Sequence, residues 1–530
     1  MSNYMTPLLL AVTLLSGFAF KATAQNNVPL PDSSFNGIGH LLIEDYPQLY
    51  PSQVALQSDG KVIILGEGNL LVPGPNLRGY ICRVNTDGTL DTSFADGGFY
   101  AIPFGLNNNI NKMHILPDDK ILIHFGWLPT IYFVRLNNDG TLDTSFGSDG
   151  VATHSSTSVY EKVSDMVVQP DQKILSISYH LSNYTVSVRR FYPDGILDET
   201  YGNQGVFHLD TLAILNPIGH LQSDGKLVIT GITGLYQLAG FVAVRLNENG
   251  GLDNTFSDDG IYSNIVGSQN TDVHGFSITI HADGIIYIGG STPLGNNKAA
   301  TVMSLNPDGT PNINFGPKGV RQIFSGIYSG VKKILLQADG KILIVGRAKP
   351  NSTTEKFLIA RYNTNGSLDS GFGNNGILEL TPYSTNYKFR QLTDAQFSPD
   401  GKLYCVGHLH ETSNYWDNAQ NSQILYRFLL ENTVNNEEPN SVVQYAKAIP
   451  SLLTNDLSVL LEYELRLDAN ININLFDQNG IALRRLLPSC FRTEGKHSEK
   501  IELPQNLKPG IYYMVLSDGA NYRPIKLMKL

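Results

Sequence analysis

The sequence predicts an all-β fold: a seven-bladed β-propeller of four-stranded blades, closed by its N-terminal segment and followed by a small C-terminal β-sandwich. Three observations predict it. A turn built on Asp-Gly-Lys or a close variant of it recurs seven times between apolar runs, at a mean spacing of about 57 residues. A second motif, Arg followed eight residues later by the aspartate of Leu-Asp, alternates with the first. The closing piece of that second motif also stands at the N-terminus, where no unit precedes it.

The turns are Gln57-Ser58-Asp59-Gly60-Lys61, Pro117-Asp118-Asp119-Lys120, Gln169-Pro170-Asp171-Gln172-Lys173, Gln222-Ser223-Asp224-Gly225-Lys226, His281-Ala282-Asp283-Gly284, Gln337-Ala338-Asp339-Gly340-Lys341 and Ser398-Pro399-Asp400-Gly401-Lys402. Asp-Gly between β-type runs signals a hairpin, here expected to be a two-residue type I′ turn with two left-handed residues. The run after each turn, such as Ile342-Leu343-Ile344-Val345, is apolar at nearly every position. A strand of that kind is covered on both faces, as in stacked sheets. Two hairpin strands, a strand ending at the Arg and a strand after the loop make about four per unit. A parallel β-helix has far shorter coils, and no sustained helical period appears.

The Arg and Asp pairs are Arg83 and Asp91, Arg135 and Asp143, Arg190 and Asp198, Arg245 and Asp253, and Arg361 and Asp369. Unit five has Ser304 and Asn312 at the same spacing, so both charges vanish together. Stranding one ion of a buried pair costs about 3–5 kcal/mol, whereas losing both can be nearly neutral. The residues are therefore expected to meet within each unit, in a structural role. Unit seven has Arg427 but no following Leu-Asp, while Pro31-Asp32-Ser33-Ser34-Phe35 supplies it at the other end. Asp32 is the expected partner of Arg427, which would make the array a circular permutation and remove free sheet edges.

Composition narrows the function. Charged residues are 16% of the 530, and the net charge of −10 disfavours a nucleic-acid partner. Three cysteines exclude a disulfide scaffold. Residues 1–24 read as a signal peptide: Leu8 to Phe20 is mostly apolar, and Ala22-Thr23-Ala24 precedes a cleavage point between Ala24 and Gln25. No later stretch is apolar for long enough to span a membrane, so no transmembrane segment is expected in the mature chain.

Residues 25–431 carry the repeats, 432–448 read as a polar linker, and 449–530 read as short strands of a β-sandwich. The repeat, Gln-x-Asp-Gly-Lys with an apolar strand and then Arg-x-Asn-x-Asp-Gly-x-Leu-Asp-x-Ser-Phe-Gly, resembles the delta-60 repeat of secreted bacterial proteins. That resemblance implies a β-propeller and little about activity. The tail is similar to the type A C-terminal sorting domain of the type IX secretion system. The similarity rests on Asn455-Asp456-Leu457, Leu475-Phe476-Asp477-Gln478-Asn479-Gly480, Leu507-Lys508-Pro509-Gly510-Ile511-Tyr512 and Lys526-Leu527-Met528-Lys529. It implies export through the periplasm of a Gram-negative bacterium by the type IX machinery, tail removal, and release or attachment at the outer surface.

No catalytic residue and no cofactor is assigned. His408 and His410 are the best metal candidates, being alternate residues of one strand, but no third ligand lies nearby in sequence. Cys82 and Cys405 lie in the first and last units, where a disulfide or two free buried thiols are the alternatives. Variable segments fall at Leu70 to Arg78, Thr292 to Lys298, Lys349 to Glu355 and Glu411 to Gln423. The last holds Tyr415 and Trp416, candidates for stacking on sugar or for a loop plug. The leading functional reading is a non-enzymatic surface or secreted scaffold binding glycan or protein. A polysaccharide lyase or glycosidase is the alternative, and a structural surface-layer protein is the third.

Overall fold

The computed structural model describes residues 30–32, 34–37, 39–43, 49–68, 78–102, 110–127, 130–155, 160–233, 240–265, 277–295, 297–351, 355–380, 389–410, 421–430, 443–449, 452–453, 457–477, 482–505, 507–517 and 522–529. Among them the regular structure is β-strand, apart from one 3-10 turn at Pro317–Gly319. None of the described helical structure is long and apolar enough to cross a membrane.

The recurring turn sets the geometry. Gly60 N–H donates to Gln57 O at 3.0 Å, and Gln57 N–H donates to Lys61 O at 2.9 Å. Gly60 alone of the turn is left-handed, at φ +85°. This is a type I turn followed by a left-handed residue in a bulge, a three-residue loop. It corrects the expected type I′ turn, which needs two such residues. Asp119 and Gln172 replace the glycine and still adopt φ +64° and +66°. The Asp caps its own turn: Lys61 N–H donates to Asp59 Oδ1 at 3.0 Å.

Each turn joins the first two strands of a four-stranded antiparallel unit. Unit one comprises Tyr50–Leu56, Val62–Gly68, Arg78–Val84 and Phe99–Ala101. Unit four comprises Leu215–Leu221, Leu227–Thr233, Gly240–Leu246 and Ile261–Ile265. Units two and three share an eight-stranded sheet, joined where Lys162 pairs with Trp127. Units five and six are joined likewise, through Lys298 and Tyr328. In the last sheet, Phe389–Phe397, Leu403–His410 and Asn421–Leu429 are followed by Leu30–Pro31 and His40–Ile43, both paired antiparallel with Asn421–Leu429. Among the described residues no sheet closes on itself.

Burial follows the apolar runs. Val62, Ile63, Ile64 and Leu65 are fully buried, as are Ile342, Leu343 and Ile344. Alternate residues serve opposite faces, so each apolar cluster lies between two consecutive units. Ile63, Leu65 and Phe94 of unit one meet Ile121, Ile123 and Phe125 of unit two. Phe35, Ile43, Tyr404, Val406 and Leu425 meet Val54, Val62, Ile64 and Tyr80, so the N-terminal segment and the last unit pack on unit one. The first strands of successive units pack side by side, and Phe389–Phe397 packs on Tyr50–Leu56.

The tail folds on its own core. Val443–Ile449, Ser458–Leu465 and Gly495–Glu502 form one sheet. Leu452–Leu453, Tyr522–Lys529, Gly510–Ser517, Ala469–Asp477 and Ala482–Arg492 form the other. Leu461, Tyr463, Ile471, Ile473, Leu475, Met514, Leu516 and Leu527 fill the space between them. The stretch 443–448 was expected within the linker and is instead strand, because Val443 and Tyr445 to Ile449 pair with Leu460–Leu465.

Candidate functional site

Two layers of polar side chains tie the units together. The outer layer contains the Arg and Asp of the repeat. Arg Nε lies 2.6–2.8 Å from the Asp carboxylate in Arg83–Asp91, Arg135–Asp143, Arg190–Asp198, Arg245–Asp253 and Arg361–Asp369. Arg427 and Asp32 lie at 2.8 Å. The turn lysine adds a second cation to the same carboxylate: Lys61 to Asp91 and Lys226 to Asp253, both at 2.9 Å, and Lys402 to Asp32 at 3.8 Å. The motif's aromatic ring covers the guanidinium, as Phe94 does Arg83 at 4.7 Å and Phe35 does Arg427 at 4.6 Å.

The same arginine crosses to the next unit. Arg190 Nη1 donates to Glu248 O at 2.9 Å, Arg245 to Pro307 O at 2.5 Å, and Arg83 to Asn138 O. Arg427 Nη1 donates to Thr86 O of unit one at 2.6 Å. A backbone bond runs beside it: Asn36 N–H donates to Asp87 O at 2.6 Å, as Ala95 N–H does to Asp139 O at 2.8 Å. In unit five all three positions of this pin are neutral. Asn312 Nδ2 donates to Ser304 Oγ at 3.1 Å, and Ile285 replaces the lysine.

Burial works to raise the Asp91 carboxyl, but the Ser93 hydroxyl, the Lys61 ammonium, the Ser93 N–H and the Arg83 guanidinium together hold it well below the usual range. Asp143, Asp198 and Asp253 are held low by the same contest. A carboxylate held low in this way stays ionised near neutrality, beside the guanidinium and ammonium that it pairs with.

The inner layer lies on the first strands, six residues before each turn aspartate: Gln53, Lys112, Asp165, Ile218, Ser277, Lys333 and Asp394. Four of these side chains bond the adjacent backbone of the next unit. Met113 N–H donates to Gln53 Oε1 at 2.8 Å, and Gly219 N–H to Asp165 Oδ2 at 2.9 Å. Ile334 N–H donates to Ser277 Oγ at 2.9 Å, and Val54 N–H to Asp394 Oδ2 at 3.0 Å. Where the residue is lysine, it pairs with the aspartate of the next unit: Lys112 with Asp165 at 3.0 Å and Lys333 with Asp394 at 2.9 Å. Burial opposes the charge on Lys112, yet Asp165 and Asp394 raise its pKa. His114 and His220 lie two residues further along their strands. Burial pushes both down to about 4, helped by Lys112 for His114 and by Lys333 and Lys112 for His220. The layer therefore holds two ion pairs and two neutral imidazoles near pH 7.

His408 and His410 are both buried, and burial, with Lys332 next, pushes His408 down to about 3. Among the described residues no group of three or more His, Cys, Asp or Glu could hold a metal. Cys82, Cys405 and Cys490 are all free thiols. Cys82 accepts a hydrogen bond from Gln423 Nε2 at 3.5 Å, and Tyr80 donates to the same Gln423. Tyr415 and Trp416 lie outside the described residues, as do Ala24, Gln25 and residues 432–442. Sequence reasoning missed the inner layer. Its only signal is a position, since the seven residues share neither charge nor size.

Together the repeated units define a β-propeller repeat protein. The matching family model is described as "Domain of unknown function (DUF5122) beta-propeller", at residues 57–94, 116–146, 222–256 and 337–372. Those segments fall in units one, two, four and six. A search of curated proteins finds no match. Among solved structures, the polysaccharide lyase Uly1 is similar over 74% of this chain and 99% of its own, with 10% identity and a TM-score of 0.44. Chaetomium thermophilum Sqt1, bound to the N-terminus of ribosomal protein L10, is similar over 73% and 98%, with 10% identity and a TM-score of 0.41. The exo-β-1,3-galactanase 1,3Gal43A from Clostridium thermocellum is similar over 72% and 78%, with 11% identity and a TM-score of 0.31.

Proposed function

We propose that this protein is a non-enzymatic binding scaffold: a closed, seven-bladed propeller, completed by its own N-terminal segment and displayed at or shed from a cell surface. The observation that carries the non-enzymatic reading is the engagement of the inner carboxylates. Asp165 and Asp394 each take a lysine on one oxygen and a backbone N–H on the other. A glycosidase of the two-carboxylate kind needs a carboxyl group able to exchange a proton or attack a sugar. Glu161, the other buried acid of the first strands, is bound by Arg189, with Nη2 to Oε2 at 2.9 Å. Ring closure is supported by the order of packing, in which unit seven meets unit one through the same bonds that join neighbours elsewhere.

Recognition then falls to the end of the ring opposite the Asp-Gly turns, where the connections differ from unit to unit. The ligand class is glycan or protein. Export by the type IX machinery and the sorting role of residues 449–530 belong to the same proposal and rest on the motifs of the tail. The test uses the chain without residues 1–24, assayed on glycan arrays and against polysaccharides for product release. Binding without product release is expected; release of oligosaccharides would replace the scaffold with an enzyme. Deleting residues 449–530 is expected to leave the protein in the periplasm, and undiminished surface display would refute the sorting role.

A further inference from the structure

In unit one a short run of chain joins the Arg and the Asp of the pin; in unit seven none does. Both units nonetheless make the same bonds. Asp91 N–H donates to Arg83 O at 2.9 Å, and Asp32 N–H to Arg427 O at 2.8 Å. Gly98 N–H donates to Phe94 O at 2.9 Å, and Gly39 N–H to Phe35 O at 2.7 Å. Each glycine carbonyl accepts from the arginine N–H, at 3.2 Å in unit one and 3.0 Å in unit seven. The hydroxyls of Ser93 and Ser34 donate to their own aspartates, at 2.6 and 2.7 Å. The N-terminal segment is thus seated in unit seven by contacts, with no covalent link to the strands of that unit.

The groove that receives it reads four features. Arg427 and Lys402 face the Asp32 carboxylate, at 2.8 and 3.8 Å. Arg427 Nη2 donates to Ser34 Oγ at 2.7 Å. Phe35 is fully buried, edge-on to Tyr404 with ring centroids 5.9 Å apart, in one cluster with Val54, Val62 and Tyr80 of unit one. Gly88 of unit one leaves room for that ring, since a Cβ there would stand 2.9 Å from Phe35 Cγ. Gly39 is left-handed at φ +83°, and a side chain there would run into Pro31. The groove therefore selects a segment with an aspartate, a hydroxyl two residues on, an aromatic three on and a glycine seven on.

We propose that the groove between units seven and one is a peptide-binding site, and that its ligand in trans is residues 30–43 of a second copy of this chain. The other copies of the motif are engaged where they stand: Asp91, Asp143, Asp198, Asp253 and Asp369 each pair within their own unit. The N-terminal segment is the donor, joined to unit one through Glu44 to Gln48. Reciprocal exchange breaks each contact once and remakes it once. The dimer therefore keeps the bonds of two monomers and differs from them by the entropy of association. In cis the tether supplies an effective concentration on the order of millimolar, so exchange needs concentrated protein and a groove that has opened.

Two crippled chains test this, each without residues 1–24. Asp32→Ala with Phe35→Ala spoils the donor and leaves the groove; Arg427→Ala spoils the groove and leaves the donor. Differently tagged and refolded together from urea at high concentration, they are expected to copurify as a 1:1 pair. Capture should exceed that of either variant refolded alone by about tenfold or more. No capture in the mixture, or equal capture by one variant of itself, would overturn the proposal. Should either variant fail to refold, the parent chain decides. Refolded at high concentration it is expected to form a dimer, and an excess of free peptide 30–43 to be retained and to suppress that dimer. The peptide carrying Asp32→Ala and Phe35→Ala is expected to do neither. A parent that takes up no peptide, or that stays monomeric when refolded concentrated, would overturn the proposal and leave closure in cis standing.

Discussion

Arg427 holds Asp32 at 2.8 Å, although the two lie at opposite ends of the repeat array. Arg361 holds Asp369 at the same distance within unit six. Arg427 Nη2 also donates to Ser34 Oγ at 2.7 Å, across 393 residues of chain. The N-terminal segment thus occupies in unit seven the place that the closing segment occupies elsewhere.

Unit five offers a test of why the charges vanish together. Ser304→Arg alone would bury a guanidinium beside the neutral Asn312, and Asn312→Asp alone would bury a carboxylate beside Ser304. Each is expected to cost about 3–5 kcal/mol. Combined, and with Ile285→Lys, they should recover most of that loss. Urea unfolding midpoints decide it; additive destabilisation would mean that unit five cannot accept the pair.

The six aspartates of the outer layer predict acid sensitivity of defined sign. Asp32, Asp91, Asp143, Asp198, Asp253 and Asp369 all have carboxyls held below the ordinary value of 3.8. The unfolded chain takes up those protons first as pH falls. Their stabilisation is therefore full above about pH 4–5 and lost below it, at up to about 1.4 kcal/mol per group per pH unit. Unfolding free energy measured from pH 6 to pH 2 should fall steeply only below about pH 4. A flat profile across that range would contradict the pins.

The inner layer predicts a graded response at Asp394. Asp394→Asn keeps an acceptor for Val54 N–H and loses the ion pair with Lys333. Asp394→Ala loses both and leaves the N–H unsatisfied, at a cost of about 1–3 kcal/mol for that group. Thermal unfolding should rank parent, Asn and Ala in that order. Equal stability of the Asn and Ala variants would show that the backbone bond contributes nothing.

Cys82 predicts a silent thiol. Burial pushes its pKa up to about 12, against a lowering by the Gln423 hydrogen bond. Thiol reagents at pH 8 should label Cys82 only after unfolding. Prompt labelling of the native chain would show that the junction of the first and last units opens readily.

Much of this architecture is legible in the chain because the repeat writes it several times. Asp59 to Asp400 mark the hairpins, and the spacing of Arg83 to Asp91 recurs with its neutral counterpart at Ser304 and Asn312. The third member of each pin was not read: Lys61 looked like a turn residue, yet its ammonium reaches Asp91. The carbonyls that the arginines cross to belong to the backbone, which leaves no residue signature, as Asn138, Glu248 and Pro307 illustrate. Gln53, Lys112 and Ser277 share a place and no chemistry, so periodicity in residue type could not reveal them. The left-handed Tyr184 is invisible for another reason: nothing in its neighbours demands a positive φ, and it is held by stacking on Tyr179 and by the bond from Ile214 N–H.

Closure by the N-terminal segment is tested most directly by a double-mutant cycle between Arg427 and Asp32. Asp32→Ala, Arg427→Ala and the double variant would be unfolded in urea, beside the same cycle for Arg361 and Asp369. The two residues touch, so a coupling energy of about 1–3 kcal/mol is expected, similar in both cycles. Effects that add to within about 0.5 kcal/mol for Arg427 and Asp32, while Arg361 and Asp369 remain coupled, would contradict closure by this pin.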